Sequence, residues 1–149
     1  MKITKEFPGL VEESWCFRFA GSIQTEWSIE IDLGNKWLIV SGRIEAGWGI
    51  KAGGGIEAGG GIEAGEGIEA GEGIKAGEGI KAGGGIEAGE GIEAGLSIRC
   101  KLVLSFAFHL FAGIASWKKA EGEDLVVEAK RIDGDVKYGT VRLLTEKSE

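Results

Sequence analysis

From Ile44 to about Ser97 the chain repeats Ile-(Glu/Lys)-Ala-Gly-x-Gly nine times with a strict period of six residues. In an extended segment side chains alternate, so residues two apart share a face. Ile44, Ile50, Ile56, Ile62, Ile68, Ile74, Ile80, Ile86 and Ile92, with the alanine two positions after each, therefore point inward, and the Glu or Lys between them points outward. The Gly-x-Gly that follows ends the strand, because glycine weakens strand interiors and is the default where a corner needs positive φ. A helix is excluded, since each glycine there costs about 1 kcal/mol against alanine. One hexad is one short strand plus one corner, and such a unit buries its apolar face only by stacking on its neighbours. The predicted class is all-β, a β-solenoid (β-helix).

The register continues beyond the perfect repeats. Downstream it runs through Ile98/Cys100, Leu104/Phe106 and Leu110/Ala112, and upstream through Leu38/Val40. Before that the phase slips by three residues at Asn35, Lys36 and Trp37, and a second set, Phe17/Phe19, Ile23/Thr25 and Ile29/Ile31, precedes the slip. About sixteen hexads over residues 17–115 are predicted, with the slip as a loop or bulged corner. Solenoid ends expose unpaired strand edges and need covers. Residues 1–16, with Phe7, Pro8, Leu10 and Trp15, read as an N-terminal cap, and residues 116–149 as a C-terminal segment carrying a β-hairpin turned at Asp133-Gly134. The corner slot becomes apolar towards this end, at Leu96, Leu102, Phe108 and Ile114. These four read as a stripe beneath the hairpin or at an interface, including one between copies of the chain. The 149 residues fit a single domain.

Hexads in known families usually form triangular coils of eighteen residues. The left-handed kind wants a small residue two positions before the aliphatic one, whereas here that slot holds Trp48, Gly54, Glu66, Glu72, Glu78 or Glu90. A charge there cannot face a dry core. The Gly-x-Ile-x-Ala order resembles bactofilins, cytoskeletal proteins built as right-handed triangular β-helices, over the repeat region only. The outward charges point elsewhere. Along Glu45, Lys51, Glu57, Glu63, Glu69, Lys75, Lys81, Glu87, Glu93 and Arg99, six of eight pairs at a spacing of twelve are opposite in sign, against four of seven at eighteen. Stacked opposite charges stabilise, so this count favours a flattened two-sided coil, but family precedent makes the triangular coil the expected geometry and the two-sided coil its alternative.

Chemistry-bearing residues are few. His109 is the one histidine, sits among Phe106, Phe108 and Leu110, and reads as structural or as a partner contact. No catalytic residue, metal site or cofactor is predicted: triads and zinc sites need imidazole or several thiolates, no Gly-Lys-Ser/Thr phosphate loop occurs, and the hexads lack the Asp of calcium-binding turns. No signal peptide or membrane-spanning stretch is read. Cys16 and Cys100 are too few for a disulfide framework, which suggests the cytoplasm of a bacterial or phage-infected cell.

What remains is charge. Residues 44–97 hold ten Glu and three Lys, a net of −7 that equals the charge of the whole chain. Such a rod repels nucleic acid, so none is expected to bind directly, and attracts basic surfaces. The expectation is a non-enzymatic module that binds a basic surface on a macromolecular partner such as a nucleic-acid-processing complex, in its specific form an inhibitor that fills a nucleic-acid-binding groove as phage anti-CRISPR or anti-restriction DNA mimics do. Glu66, Glu72, Glu78 and Glu90 are the candidate contacts, because the repeat accepts glycine at the same slot, with Trp48 as an aromatic anchor. The alternative is a self-assembling, bactofilin-like scaffold.

Overall fold

A computed structural model describes residues 1–144 and shows three parallel sheets wound as a β-solenoid of about seven turns. Within the perfect repeats each strand pairs with the strand one coil away, Ile44 with Ile62, Ile50 with Ile68 and Ile56 with Ile74, eighteen residues apart. The coil is therefore triangular and the two-sided alternative is wrong. Charge counting favoured it because exposed ion pairs contribute only about 0 to 1 kcal/mol each, too little to choose a coil. Like charges do stack, as at Glu69 and Glu87 or Lys81 and Arg99.

Along one turn the chain visits three faces. Face I holds Ile44–Ala46, Ile62–Ala64, Ile80–Ala82 and Ile98–Cys100; face II holds Ile50–Ala52, Ile68–Ala70, Ile86–Ala88 and Val103–Phe106; face III holds Ile56–Ala58, Ile74–Ala76, Ile92–Ala94 and Leu110–Ala112. The hexad isoleucines are no more than 1% exposed, and the alanines beside them are buried as well. Each buried isoleucine contributes about 1.5 to 3 kcal/mol, so the core is a column of equal layers.

The repeat glycines are not where they are for the expected reason. None of those between Ile44 and Ser97 has positive φ. The first glycine of each corner is instead required by close approach: a Cβ on Gly71 would stand 2.1 Å from the carbonyl oxygen of Gly53, and one on Gly77 would stand 2.2 Å from that of Gly59. The last glycine is less constrained at Gly67, where a Cβ would meet the Gly85 oxygen at 3.4 Å, whereas the rings of Trp37 and His109 lie over Gly55 and Gly91; Ser97, Val103 and His109 occupy the same slot in later coils. Where the first glycine is missing the corner rearranges. Gly83 donates its N–H to the Ala64 carbonyl, but Lys101, one coil on, donates to Gly84, and Ala107 donates to Glu90 in the same manner.

The phase slip is a long corner, Asp32 to Lys36, after which Phe17 and Leu38 pair at a spacing of 21. At the N-terminus Lys2–Ile3 adds a parallel strand beneath Ile29–Ile31, and Val11–Glu12 runs antiparallel to Cys16–Phe19. The C-terminal hairpin does not exist. Val126–Ala129, Arg131–Asp133, Val136–Tyr138 and Thr140–Leu143 each lie parallel on the rung below and carry the solenoid on to Leu143, past the expected limit at residue 115. Asp133-Gly134 is a corner of this coil, and Gly134, at φ 152°, leaves room for the Phe106 ring. Three-residue strands flanking an Asp-Gly look the same in either fold. The apolar stripe is also absent: Leu96 and Ile114 lie on the corner between faces III and I, Leu102 on that between I and II, and Phe108 on that between II and III. Leu102, Phe108 and Ile114 are exposed, because the C-terminal coil stacks above these corners rather than folding over them.

Replacing Ile68 by Asp buries a charge between Ile50 and Ile86, and the several kcal/mol this costs should unfold the chain, read as loss of its circular dichroism signal. Gly71→Ala should destabilise by several kcal/mol through its backbone clash, whereas Gly67→Ala should be neutral or stabilising by up to about 1 kcal/mol. Denaturant melts of the two variants should separate clearly.

Candidate functional site

Position two of each hexad faces solvent, and position five forms the corner between faces. Stacking at the corners is direct: Glu66 donates its N–H to the Trp48 carbonyl at 3.0 Å, Glu90 donates to Glu72 at 3.1 Å, and Leu96 donates to Glu78 at 3.2 Å. Trp48 and Glu66 thus share the I/II corner, Glu72 and Glu90 the II/III corner, and Glu78 lies alone on the III/I corner. Of the predicted contacts, Glu66, Glu72, Glu90 and Trp48 border face II, and Glu78 sits on the opposite edge. Trp48 is half-exposed and meets Trp27, in the coil below, edge-to-face at 5.1 Å.

Between those corners face II carries Glu69 and Glu87, stacked in register. Five carboxylates, Glu66, Glu69, Glu72, Glu87 and Glu90, therefore lie on two adjacent rungs of one face and its edges. None of them forms an ion pair among the described residues. Sequence reasoning passed over Glu69 and Glu87, because position two carries a charge in every perfect hexad and so marks none of them out. An open groove of about 610 Å³ runs along this face, with Gly49, Gly67 and Gly85 in its wall and Lys51, Glu69 and Glu87 beside them.

The other faces compensate their charges. On face I, Arg43 reaches Glu45 at 3.5 Å and Glu63 at 3.9 Å, and higher up Arg99 and Arg142 share Glu123 and Glu128. Hydrogen bonds from Arg142 and then Arg99 hold the Glu123 carboxyl down at a pKa of about 2. On face III, Lys75 pairs with Glu93 at 3.6 Å. His109, half-exposed, lies 4.0 Å from the same Glu93 and packs against Phe111 at 5.1 Å between ring centroids. Its ring covers Gly91.

Nucleophiles are poorly placed. Cys16 and Cys100 are buried, and burial raises both thiols, that of Cys100 to about 11, so neither forms a thiolate readily. Among the described residues no cluster of His, Cys, Asp or Glu could hold a metal ion, and no helix is long and apolar enough to cross a membrane. No protein-family model, curated protein or solved structure matches the chain. The likeness of the hexads to bactofilins is one of residue order.

Because Glu123 titrates lower in the fold than in the unfolded chain, its contribution is complete above the ordinary carboxylate pKa of 4.5 and is lost as pH falls towards about 2. Acid titration should loosen the last coil in that window. Glu123→Gln should remove that contribution and weaken the acid dependence, read by amide exchange at Val127 and Arg142.

Proposed function

We propose that the chain is a non-enzymatic binding module whose acidic face II occupies a basic groove on a macromolecular partner, of the kind that otherwise takes nucleic acid. The observation that carries this reading is the concentration of five carboxylates on two rungs, none in an ion pair among the described residues and with Lys51 the one cation in register beneath them, beside faces where arginine and lysine pair with Glu45, Glu63 and Glu93. A fold gains nothing from stacking like charges, which repel across a ladder; on face I Arg43 bridges the stacked Glu45 and Glu63, whereas Glu69 and Glu87 stack with further glutamates at both edges of their face.

Charge density supports mimicry. Rungs are about 4.8 Å apart, so the nine hexads, three coils, spread a net charge of −7 over about 14 Å. That is about one charge per 2 Å, close to the one per 1.7 Å of duplex DNA. The matching biological role is that of an inhibitor in the cytoplasm of a bacterial or phage-infected cell, an anti-defence protein of the anti-CRISPR or anti-restriction kind. Trp48, half-exposed at the edge of the acidic face, supplies the aromatic anchor such interfaces favour. Long-range attraction to a basic groove speeds association and weakens with salt.

A pull-down from bacterial lysate at low and high salt should recover a nucleic-acid-processing protein that duplex DNA competes away. Changing Glu66, Glu69, Glu72, Glu87 and Glu90 to Gln should leave the fold intact, weaken binding at least about tenfold and flatten its salt dependence. The equivalent change at Glu45, Glu57 and Glu93 should do much less. An unaltered dissociation constant and salt slope in the five-fold variant would exclude face II as the recognition surface.

A further inference from the structure

The two ends of the solenoid differ. At the N-terminal end the strands Lys2–Ile3 and Val11–Glu12 close two sides, Phe7 and Leu10 pack on the core, and Phe7 meets Phe19 edge-on at 5.9 Å. Ile3, Ile23 and Ile29 are accordingly at most 3% exposed. At the C-terminal end Arg131–Asp133, Val136–Tyr138 and Thr140–Leu143 each pair with the rung below and, among the described residues, with nothing above. Val141 and Leu143 stand in register with the fully buried Val127 and Ala129, and so point along the core column, yet they are 49% and 56% exposed. Ile132 and Val136, in register with buried Leu104 and Leu110, are only half-buried. Among the described residues the core column ends in partly exposed apolar side chains inside a triangle of three unpaired strand edges, an arrangement that invites pairing with another chain.

We propose that this end is a dimer interface, occupied by the same end of a second copy. Three edges around an apolar centre are matched together by another triangle of the same size, which a copy's own end provides. Charges at the rim are neutralised in place, Arg131 by Asp133, Lys137 by Asp135 and Arg142 by Glu123 and Glu128. Two such ends approach without the repulsion that side-by-side contact of acidic rods would meet. Because the N-terminal end is covered, the contact is isologous and closes at two copies. The chains then run in opposite senses around the triangle, so strands pair antiparallel across the two-fold axis.

Sedimentation velocity of the full chain over the micromolar range should give twice the 15.7 kDa of the monomer. Val141→Lys with Leu143→Lys should halve that mass with an unchanged circular dichroism spectrum, since both side chains are already exposed in one copy. The milder pair Val141→Ser and Leu143→Ser should shift the equilibrium the same way should the lysines disturb the last coil. Phe108→Ser, at an exposed apolar residue on a corner rather than the end, should leave the dimer intact. A wild-type monomer throughout the range, a dimer that survives both double variants, or a mass that grows past two copies would each overturn the proposal.

Discussion

A hydrogen atom in place of a Cβ is what allows one coil to rest on the next. At Gly65, Gly71, Gly77, Gly83, Gly89 and Gly95 an added Cβ would meet the carbonyl oxygen eighteen residues earlier at 2.0 to 2.2 Å, well inside van der Waals contact. With glycine there, the N–H of that residue reaches the alanine carbonyl of the coil below at about 3.0 Å, as from Gly71 to Ala52 and from Gly77 to Ala58. The corner is thereby tied to its neighbour, the strand following it starts in register, and isoleucine stacks on isoleucine. Lys101 and Ala107 show the converse, because there the backbone bond moves from the alanine carbonyl to one two residues further along and the corner changes shape.

A scaffold held by inward Ile, inward Ala and one glycine per corner leaves the remaining positions almost free. Position two faces solvent on every rung, and position five accepts Trp, Glu, Gly, Leu or Phe. Such freedom separates fold from surface: charge can be placed on a face with little consequence for packing, and exposed pairs contribute little to stability in any case. Against that background the difference between faces is informative. Each face carries two Glu and one Lys at position two of its perfect repeats, Lys51 standing in register below Glu69 on face II, but face II is also flanked by Glu66, Glu72 and Glu90 at its corners, and none of its five glutamates forms an ion pair among the described residues.

The period of six and the alternation within it made the inward residues legible, and every isoleucine and alanine of the perfect repeats is buried as read. The degraded hexads were legible for the same reason, since Ile98, Leu104 and Leu110 keep the inward slot. Coil length was not, because a hexad fits a two-sided or a three-sided turn equally well and only cross-coil packing selects. Glu69 and Glu87 were passed over because every perfect hexad carries a charge at that position, and Leu96, Leu102, Phe108 and Ile114 were read as one stripe although successive corners of a three-sided coil lie on different edges. The last coil was hidden differently. Asp133-Gly134 between short apolar alternations serves a hairpin or a solenoid corner, and the long connection from Gly113 to Leu125 breaks the count that would have linked Leu110 to Val127.

Nitroxide labels placed on outward positions report stacking most directly. With labels on cysteines replacing Lys51 and Glu69, in a background where Cys16 and Cys100 are alanine, adjacent rungs about 4.8 Å apart should give strong dipolar broadening, because the two residues are register partners eighteen apart. Labels at positions 57 and 69, twelve apart and on different faces, should give far less. Strong broadening from the second pair and little from the first would contradict the triangular coil, and with it the assembly of the acidic face.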